Sequence, residues 1–160
     1  MGDSEKKLYL LDGMALVYRA HFSMMRNPRM TSRGMNTSTV FVMTNTLLDI
    51  LNNAKPSHIA MVFDTPEPTH RHERFEEYKA QREAMPEDLS MALPYVFQLC
   101  EAFNLPVLKK PGWEADDVIG TLARIAEGEG FTTYMVTPDK DYAQLVSGQT
   151  FVCKPGKTGD

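Results

Sequence analysis

Cysteine is scarce in this 160-residue chain: Cys100 and Cys153 are the only two, and neither has a thiol or imidazole at metal-ligand spacing. A disulfide scaffold and a zinc module are thereby excluded, and two buried thiols of a reducing compartment are expected. No apolar run is long enough to span a bilayer, and the N-terminus lacks the apolar core of a secretory signal. Also missing are a glycine-rich phosphate loop, a Ser-His-Asp set, internal repeats and low-complexity segments. Acidic residues are absent from residues 13–48, a span that carries Arg19, Arg26, Arg29 and Arg33. A locally positive surface is therefore expected on a chain whose formal net charge is -4.

What is present suits one domain with a sizeable core, at 42% hydrophobic residues. Short apolar runs at residues 8–11, 59–63, 106–108, 131–137 and 150–153 read as strands. Between them, apolar residues recur at helical spacing. Met14, Val17, Tyr18, His21 and Phe22 form one such face; Val40, Phe41, Thr44, Leu47, Leu48 and Leu51 form another; Leu89, Leu93, Val96, Cys100 and Phe103 form a third, despite Pro94. Residues 23–36, with Pro28 and Gly34, read as a loop. The alternation predicts an α/β three-layer sandwich around a mainly parallel five-stranded sheet, with right-handed crossovers.

The chemistry concentrates in Gly112-Trp113-Glu114-Ala115-Asp116-Asp117-Val118-Ile119-Gly120, three carboxylates within four residues at a predicted helix start. An acidic first turn also stabilises a helix dipole, by about 0.3 to 1 kcal/mol per group, so this stretch alone is not diagnostic. Three further runs end in aspartate, at Asp12, at Asp64 and at Asp139-Lys140-Asp141. In a parallel sheet the loops after the strands share one edge, where ligands bind, so Asp12, Asp64, Glu114 and Asp139 are expected to converge. Carboxylates so close raise one another's pKa, and divalent cations relieve the conflict. Oxygen-only ligation suits Mg²⁺ or Mn²⁺, and a pair of such ions suits in-line phosphoryl displacement. An aspartyl-phosphate phosphatase wants a second acid two residues after Asp12, where Met14 stands, and a receiver domain wants an acidic pair at that strand's end.

Residues 70–82 are a charged segment in which Arg71, Phe75, Tyr78 and Arg82, with Lys79 alongside, would share one face of a helix. Its apolar surface is too small for firm docking, which suits an element that orders on a partner.

Taken together, Leu11-Asp12-Gly13 with Tyr18-Arg19, Thr31-Ser32-Arg33-Gly34, Val62-Phe63-Asp64, Arg71-His72-Glu73, Tyr78-Lys79-Ala80-Gln81-Arg82, Glu114-Ala115-Asp116-Asp117 and Asp139-Lys140-Asp141 resemble the 5′-nuclease (5′-3′ exonuclease, flap endonuclease) domain found at the N-terminus of bacterial DNA polymerase I. The resemblance covers nearly the whole chain. It implies a PIN-like, Rossmann-like fold over residues 1–160 and Mg²⁺-dependent hydrolysis of phosphodiesters near the 5′ ends of flap or nicked DNA. Asp12, Asp64, Glu114 and Asp116 would hold the first metal, Asp117 would be a further acidic member, and Asp139 and Asp141 would serve the second. The charged segment, about residues 66–85, would arch over a 5′ single strand, with Tyr78 stacking on a base. Arg71, Lys79 and Arg82, joined by Arg19 and Arg33, would meet DNA, and Lys79 would also stabilise the scissile phosphate.

The family's later acidic motif and helix-hairpin-helix are not in the sequence, so the second metal site is expected to be incomplete and activity weak. Mn²⁺ is expected to substitute for Mg²⁺. Polymerase domains of a longer chain are the implied partners, a cytoplasmic, nucleoid-associated bacterial setting the implied location, and no membrane is involved. Two other functions compete: a PIN-type ribonuclease, and a non-catalytic module that binds metal and nucleic acid.

Overall fold

Along β1 (Lys7–Asp12) neighbouring side chains leave the sheet on opposite sides, so its unbroken apolar run from Leu8 to Leu11 must be covered on both faces. The structure, a computed structural model, describes residues 5–77, 79 and 83–156. In it Leu11 packs into one buried cluster with Val17, Met43, Leu47, Met61, Phe63, Val96 and Cys100. Leu10 packs into a second with Ala60, Val62, Ile119, Met135 and Tyr142. The same alternation operates along β2 (His58–Phe63), which sends Met61 and Phe63 to one face and Ala60 and Val62 to the other.

The first face is covered by α1 (Gly13–Ser23), α2 (Ser38–Asp49) and α4 (Glu87–Ala102). The second is covered by α5 (Ala115–Gly128) and a 3-10 helix, Lys140–Leu145. With β3 (Val107–Lys109), β4 (Thr132–Val136) and β5 (Thr150–Cys153), the sheet runs β3-β2-β1-β4-β5, every pair parallel. The expected three-layer α/β sandwich is thus what forms.

Local chemistry explains the element ends. α2 runs on into a single π turn, Ile50–Ala54, and stops where Lys55 turns left-handed at φ 48° ahead of Pro56. Gly13 opens α1 directly beneath the Phe63 ring, where a Cβ would come within 2.6 to 2.8 Å of ring carbons, so only glycine lets the helix begin there. Pro94 lies inside α4, yet its helix continues to Ala102 because Leu89, Ala92, Val96 and Cys100 are buried along it.

The charged segment differs from the expected continuous helix. Among its described residues it forms α3 (His70–Arg74), after which Phe75 is extended at φ -136°, ψ 95°. Phe75 is 68% exposed, so no apolar contact draws the helix onward. The proposed stripe of Arg71, Phe75, Tyr78 and Arg82 is therefore interrupted at Phe75; Tyr78 and Arg82 lie outside the described residues. Of the two cysteines, Cys100 is buried as expected and Cys153 only half-buried. Among the described residues no helix is long and apolar enough to cross a membrane.

Candidate metal centre and active site

Each carboxylate reaches the site because an element ends or begins there. Asp12 is the last residue of β1 and the N-cap of α1, which buries it to 8% exposure. Its Oδ2 accepts from the Thr137 hydroxyl at 3.1 Å. Asp64 directly follows β2, and its Oδ1 accepts from the backbone N–H of Ala115 at 2.7 Å, fastening the end of one strand to the start of α5. Glu114, at the N-cap of α5, is also buried. Asp116 Oδ1 accepts from the N–H of Asp117 at 2.8 Å, and Asp117 Oδ2 from the N–H of Glu114 at 3.3 Å, so the acids also serve as helix caps. Asp139 caps the 3-10 helix by accepting from Asp141 N–H at 2.9 Å. Its own N–H donates to Thr137 Oγ1 at 3.1 Å, so one threonine ties Asp12 to Asp139.

Asp12, Asp64, Glu114, Asp116 and Asp139 line one cavity of about 410 Å³, together with Tyr18, Lys79, Glu83 and Tyr142. Asp117 and Asp141 line an adjoining cavity of about 480 Å³ with Arg71 and Arg124, and Asp116 and Tyr142 border both. All seven acids singled out in the sequence therefore lie at the same sheet edge, divided five and two, with Asp116 between them. Glu114, Asp116 and Asp117 each offer a carboxylate oxygen within 4.8 Å of the others.

The electrostatics are those of anions crowded without enough water. Burial pushes the Asp12 carboxyl above its ordinary value, and Asp64 adds to the shift, against the hydrogen bond from Thr137. The Tyr142 hydroxyl lies close enough to favour the Asp12 carboxylate but outside hydrogen-bond geometry. Burial, and then the charge of Asp12, raise the Tyr142 phenol in turn. Asp116 is raised by burial first, then by Asp117 and Glu114, with Arg71 opposing. Such a set, all hard oxygen donors with no thiolate or imidazole among them, fits a hard divalent cation.

Two cations of the charged segment meet the cluster. The Lys79 ammonium bonds Glu114 Oε1. Arg71 bonds Glu114 Oε2 and forms a fork on Asp117, Nη1 to Oδ2 at 2.9 Å and Nη2 to Oδ1 at 2.8 Å. Of the residues expected to meet DNA, Lys79 is thus at the cavity and Arg71 is engaged with acids. Arg19 donates to the carbonyl of Pro155 at 3.0 Å, and Arg33 is exposed in the loop after α1.

Sequence reading passed over Thr137, Tyr142 and Glu83 as site residues. Thr137 is readable only as the end of the apolar run 131–137, and Tyr142 only as the residue that follows Asp141. Tyr18, which counts both in the helical repeat of α1 and in the Tyr18-Arg19 pair of the resemblance, lines the cavity.

The chain and its fold have counterparts among known proteins. Residues 7–159 match the family model described as 5′-3′ exonuclease, N-terminal resolvase-like domain. A 5′-3′ exonuclease of Aquifex aeolicus is 36% identical over 150 residues, 94% of this chain and 51% of that protein. DNA polymerase I of Mycobacterium tuberculosis is 39% identical over 150 residues, 94% of this chain and 17% of that protein. The chain therefore spans about half of the one and about a sixth of the other. Among solved structures, a phage T5 5′-exonuclease with divalent zinc ions bound superposes with a TM-score of 0.71 at 19% identity, covering 92% of this chain and 55% of that one. A T5 flap endonuclease in a pseudo-enzyme-product complex with DNA and metal ions gives 0.68 at 19%, covering 92% and 54%. At such identity the structures establish a shared fold, while the family rests on the sequence match over almost every residue: the chain belongs to the 5′-3′ exonuclease N-terminal resolvase-like domain family.

Proposed function

We propose that this chain is the catalytic part of a Mg²⁺-dependent 5′-3′ exonuclease or flap endonuclease, hydrolysing phosphodiesters near the 5′ ends of flap or nicked DNA. The observation that carries the reading is the convergence of Asp12, Asp64, Glu114, Asp116 and Asp139 around one cavity open at the sheet edge.

Asp12, Asp64, Glu114 and Asp116 would hold the first cation, and Asp139 and Asp141 would contribute to a second. Bound there, such cations would supply activation of water and relief of the negative charge that develops at the phosphate. The protein's own groups do the rest. Thr137 fixes Asp12 and Asp139 relative to each other through its single hydroxyl. Asp64, held by Ala115 N–H, keeps the end of β2 against the start of α5. Lys79, already at the mouth of the cavity, exchanges its contact with Glu114 for the scissile phosphate and stabilises the charge that develops there. By the resemblance, Tyr78 would stack on a base of a 5′ single strand and Arg82 would meet its phosphates, with Arg19 and Arg33 adding positive charge from the span 13–48, which carries no acid in sequence. Polymerase domains of a longer bacterial chain, in the cytoplasm beside the nucleoid, are the fitting partners.

The test is cleavage of a 5′-labelled DNA flap with Mg²⁺ or Mn²⁺, beside its RNA counterpart, an Asp116→Ala variant and a chelated blank. DNA cleavage lost in both controls is expected. Preference for RNA would favour a ribonuclease, and binding of intact DNA without turnover would favour a non-catalytic module.

A further inference from the structure

The contact between the charged segment and the acidic helix is more elaborate than a surface ion pair. α3 is fastened to the turn before α5 and to the first turn of α5 itself by three separate means. The N–H of His70 donates to the Gly112 carbonyl at 3.2 Å, the His70 ring lies 4.4 Å from the Trp113 ring, and Arg71 grips Asp117 with both branches of its guanidinium. A capping box between Thr69 and His72 fixes the start of α3, so Arg71 is presented from an ordered first turn. Gly112, at φ 81°, supplies the left-handed turn that brings its carbonyl within reach.

From the other side, both oxygens of Asp117 are taken. Oδ1 accepts from Nη2, and Oδ2 accepts from Nη1 and from the N–H of Glu114. Asp117 faces the cavity that Arg71 lines, whereas Asp12, Asp64, Glu114 and Asp139 face the other. The guanidinium also reaches Glu114 Oε2 and stands 3.9 Å from Asp116. A planar fork sets direction as well as charge, and a lysine in its place would not.

We propose that Arg71 is a positioning residue of the nuclease site and that Asp117 is its counter-ion rather than a metal ligand. The fork locks the first turn of α5 and thereby aims Glu114 and Asp116 into the metal cavity. It also makes α3, the base of the charged segment, part of the site's scaffold. The inference rests on the metal-nuclease reading and refines it: of the three carboxylates whose oxygens lie within 4.8 Å, Glu114 and Asp116 line the metal cavity, Glu114 also meeting Arg71 and Lys79, while Asp117 lines only the adjoining cavity and serves Arg71.

The test is a double-mutant cycle on Asp117→Asn and Arg71→Ala, with Arg71→Lys and Asp116→Ala beside it. Each is read three ways: Mn²⁺ affinity by calorimetry without DNA, unfolding in chelator, and flap-cleavage kcat and KM. Asp117→Asn and Arg71→Ala are each expected to leave Mn²⁺ affinity within about fivefold, the range of a partly exposed charge pair, whereas Asp116→Ala loses far more. Both are expected to lower kcat about 10- to 100-fold at little cost in KM. The double variant should be no slower than the worse single one, the unfolding cycle should show coupling in chelator, and Arg71→Lys should recover only a minor part of the rate.

A larger loss of Mn²⁺ affinity in Asp117→Asn, multiplying losses in the double variant, or an Arg71→Ala defect confined to KM would overturn the assignment. The last would make Arg71 a phosphate contact. An unsubstituted chain that binds no Mn²⁺ overturns the reading beneath the inference and the inference with it; Mn²⁺ binding with an uncoupled cycle overturns the inference alone.

Discussion

Asp12 is where the demands of folding and of the site oppose each other most directly. Its carboxylate is nearly inaccessible, and burial raises its pKa; Asp116 is raised for the same leading reason. A raised folded-state pKa means that the native state binds protons more tightly than the unfolded chain. The stability that these two groups contribute is full below the ordinary carboxylate range and is lost as pH rises through their raised values. In chelator, then, the thermal midpoint should carry a component that falls with rising pH above about 4, and Asp12→Asn should remove part of it while raising the midpoint at pH 7. A pH series of thermal scans on both proteins checks this. An unsubstituted chain whose metal-free midpoint climbs steadily from pH 5 to 7, with Asp12→Asn unchanged, would contradict it. Gly13 makes a complementary point about space. Phe63 is 2% exposed and packs against Phe97 at 4.7 Å, so its ring has nowhere to go. Gly13→Ala should cost about 1 to 3 kcal/mol in denaturant unfolding, the usual range for overpacking a tight core.

Whole elements reach the site in pairs, and the groups joining those pairs are not the acids. Thr137, directly after β4, donates to Asp12 at the end of β1 and accepts from the N–H of Asp139, so one hydroxyl aligns two loops. Replacing it with valine keeps the shape and leaves Asp12 without that donor. Thr137→Val should weaken Mn²⁺ binding or slow cleavage about 10- to 100-fold with only a small change in stability. Calorimetry and flap cleavage on the same preparation separate these effects, and unchanged values in both would show that Asp12 needs no such support. Midway along the strands, the rings of Tyr9, Tyr134 and Phe151 stack across β1, β4 and β5 at 4.8 and 5.7 Å. Because Phe151 stands on the sheet's last strand, Phe151→Ala should loosen β5 first; faster amide exchange at Thr150–Cys153 than at β1 would show it.

For the whole molecule, net charge and local charge point in opposite directions. A chain at -4 repels a polyanion on average, so single-stranded DNA must be met locally and with a shallow salt slope. If Arg19, Arg33, Lys79 and Arg82 are the contacts, the log-log slope of affinity against salt should be near about -3, from 0.7 per neutralised phosphate on a single strand, and Lys79→Ala should reduce it by roughly one such step. Fluorescence anisotropy with a labelled oligonucleotide in chelator measures both. A slope that Lys79→Ala leaves untouched would remove that lysine from the DNA contacts.

By itself the sequence determined the strands, the layers and the edge at which the acids gather. Strand period and helix period are local properties: Leu10 and Leu11 must face opposite ways, and an aspartate that ends a parallel strand must lie at the ligand-binding edge. Partnership was another matter. Arg71 and Asp117 are 46 residues apart, and nothing in the spacing of either distinguishes an arginine that forks a carboxylate from one that waits for phosphate. Thr137 and Tyr142 are equally silent, because a hydroxyl becomes a site group only when a buried carboxylate is folded against it. The helical stripe expected through Arg71 and Phe75 failed for the converse reason: periodicity records which residues would share a face, while a helix continues only if that face finds something to bury against, and Phe75 finds solvent.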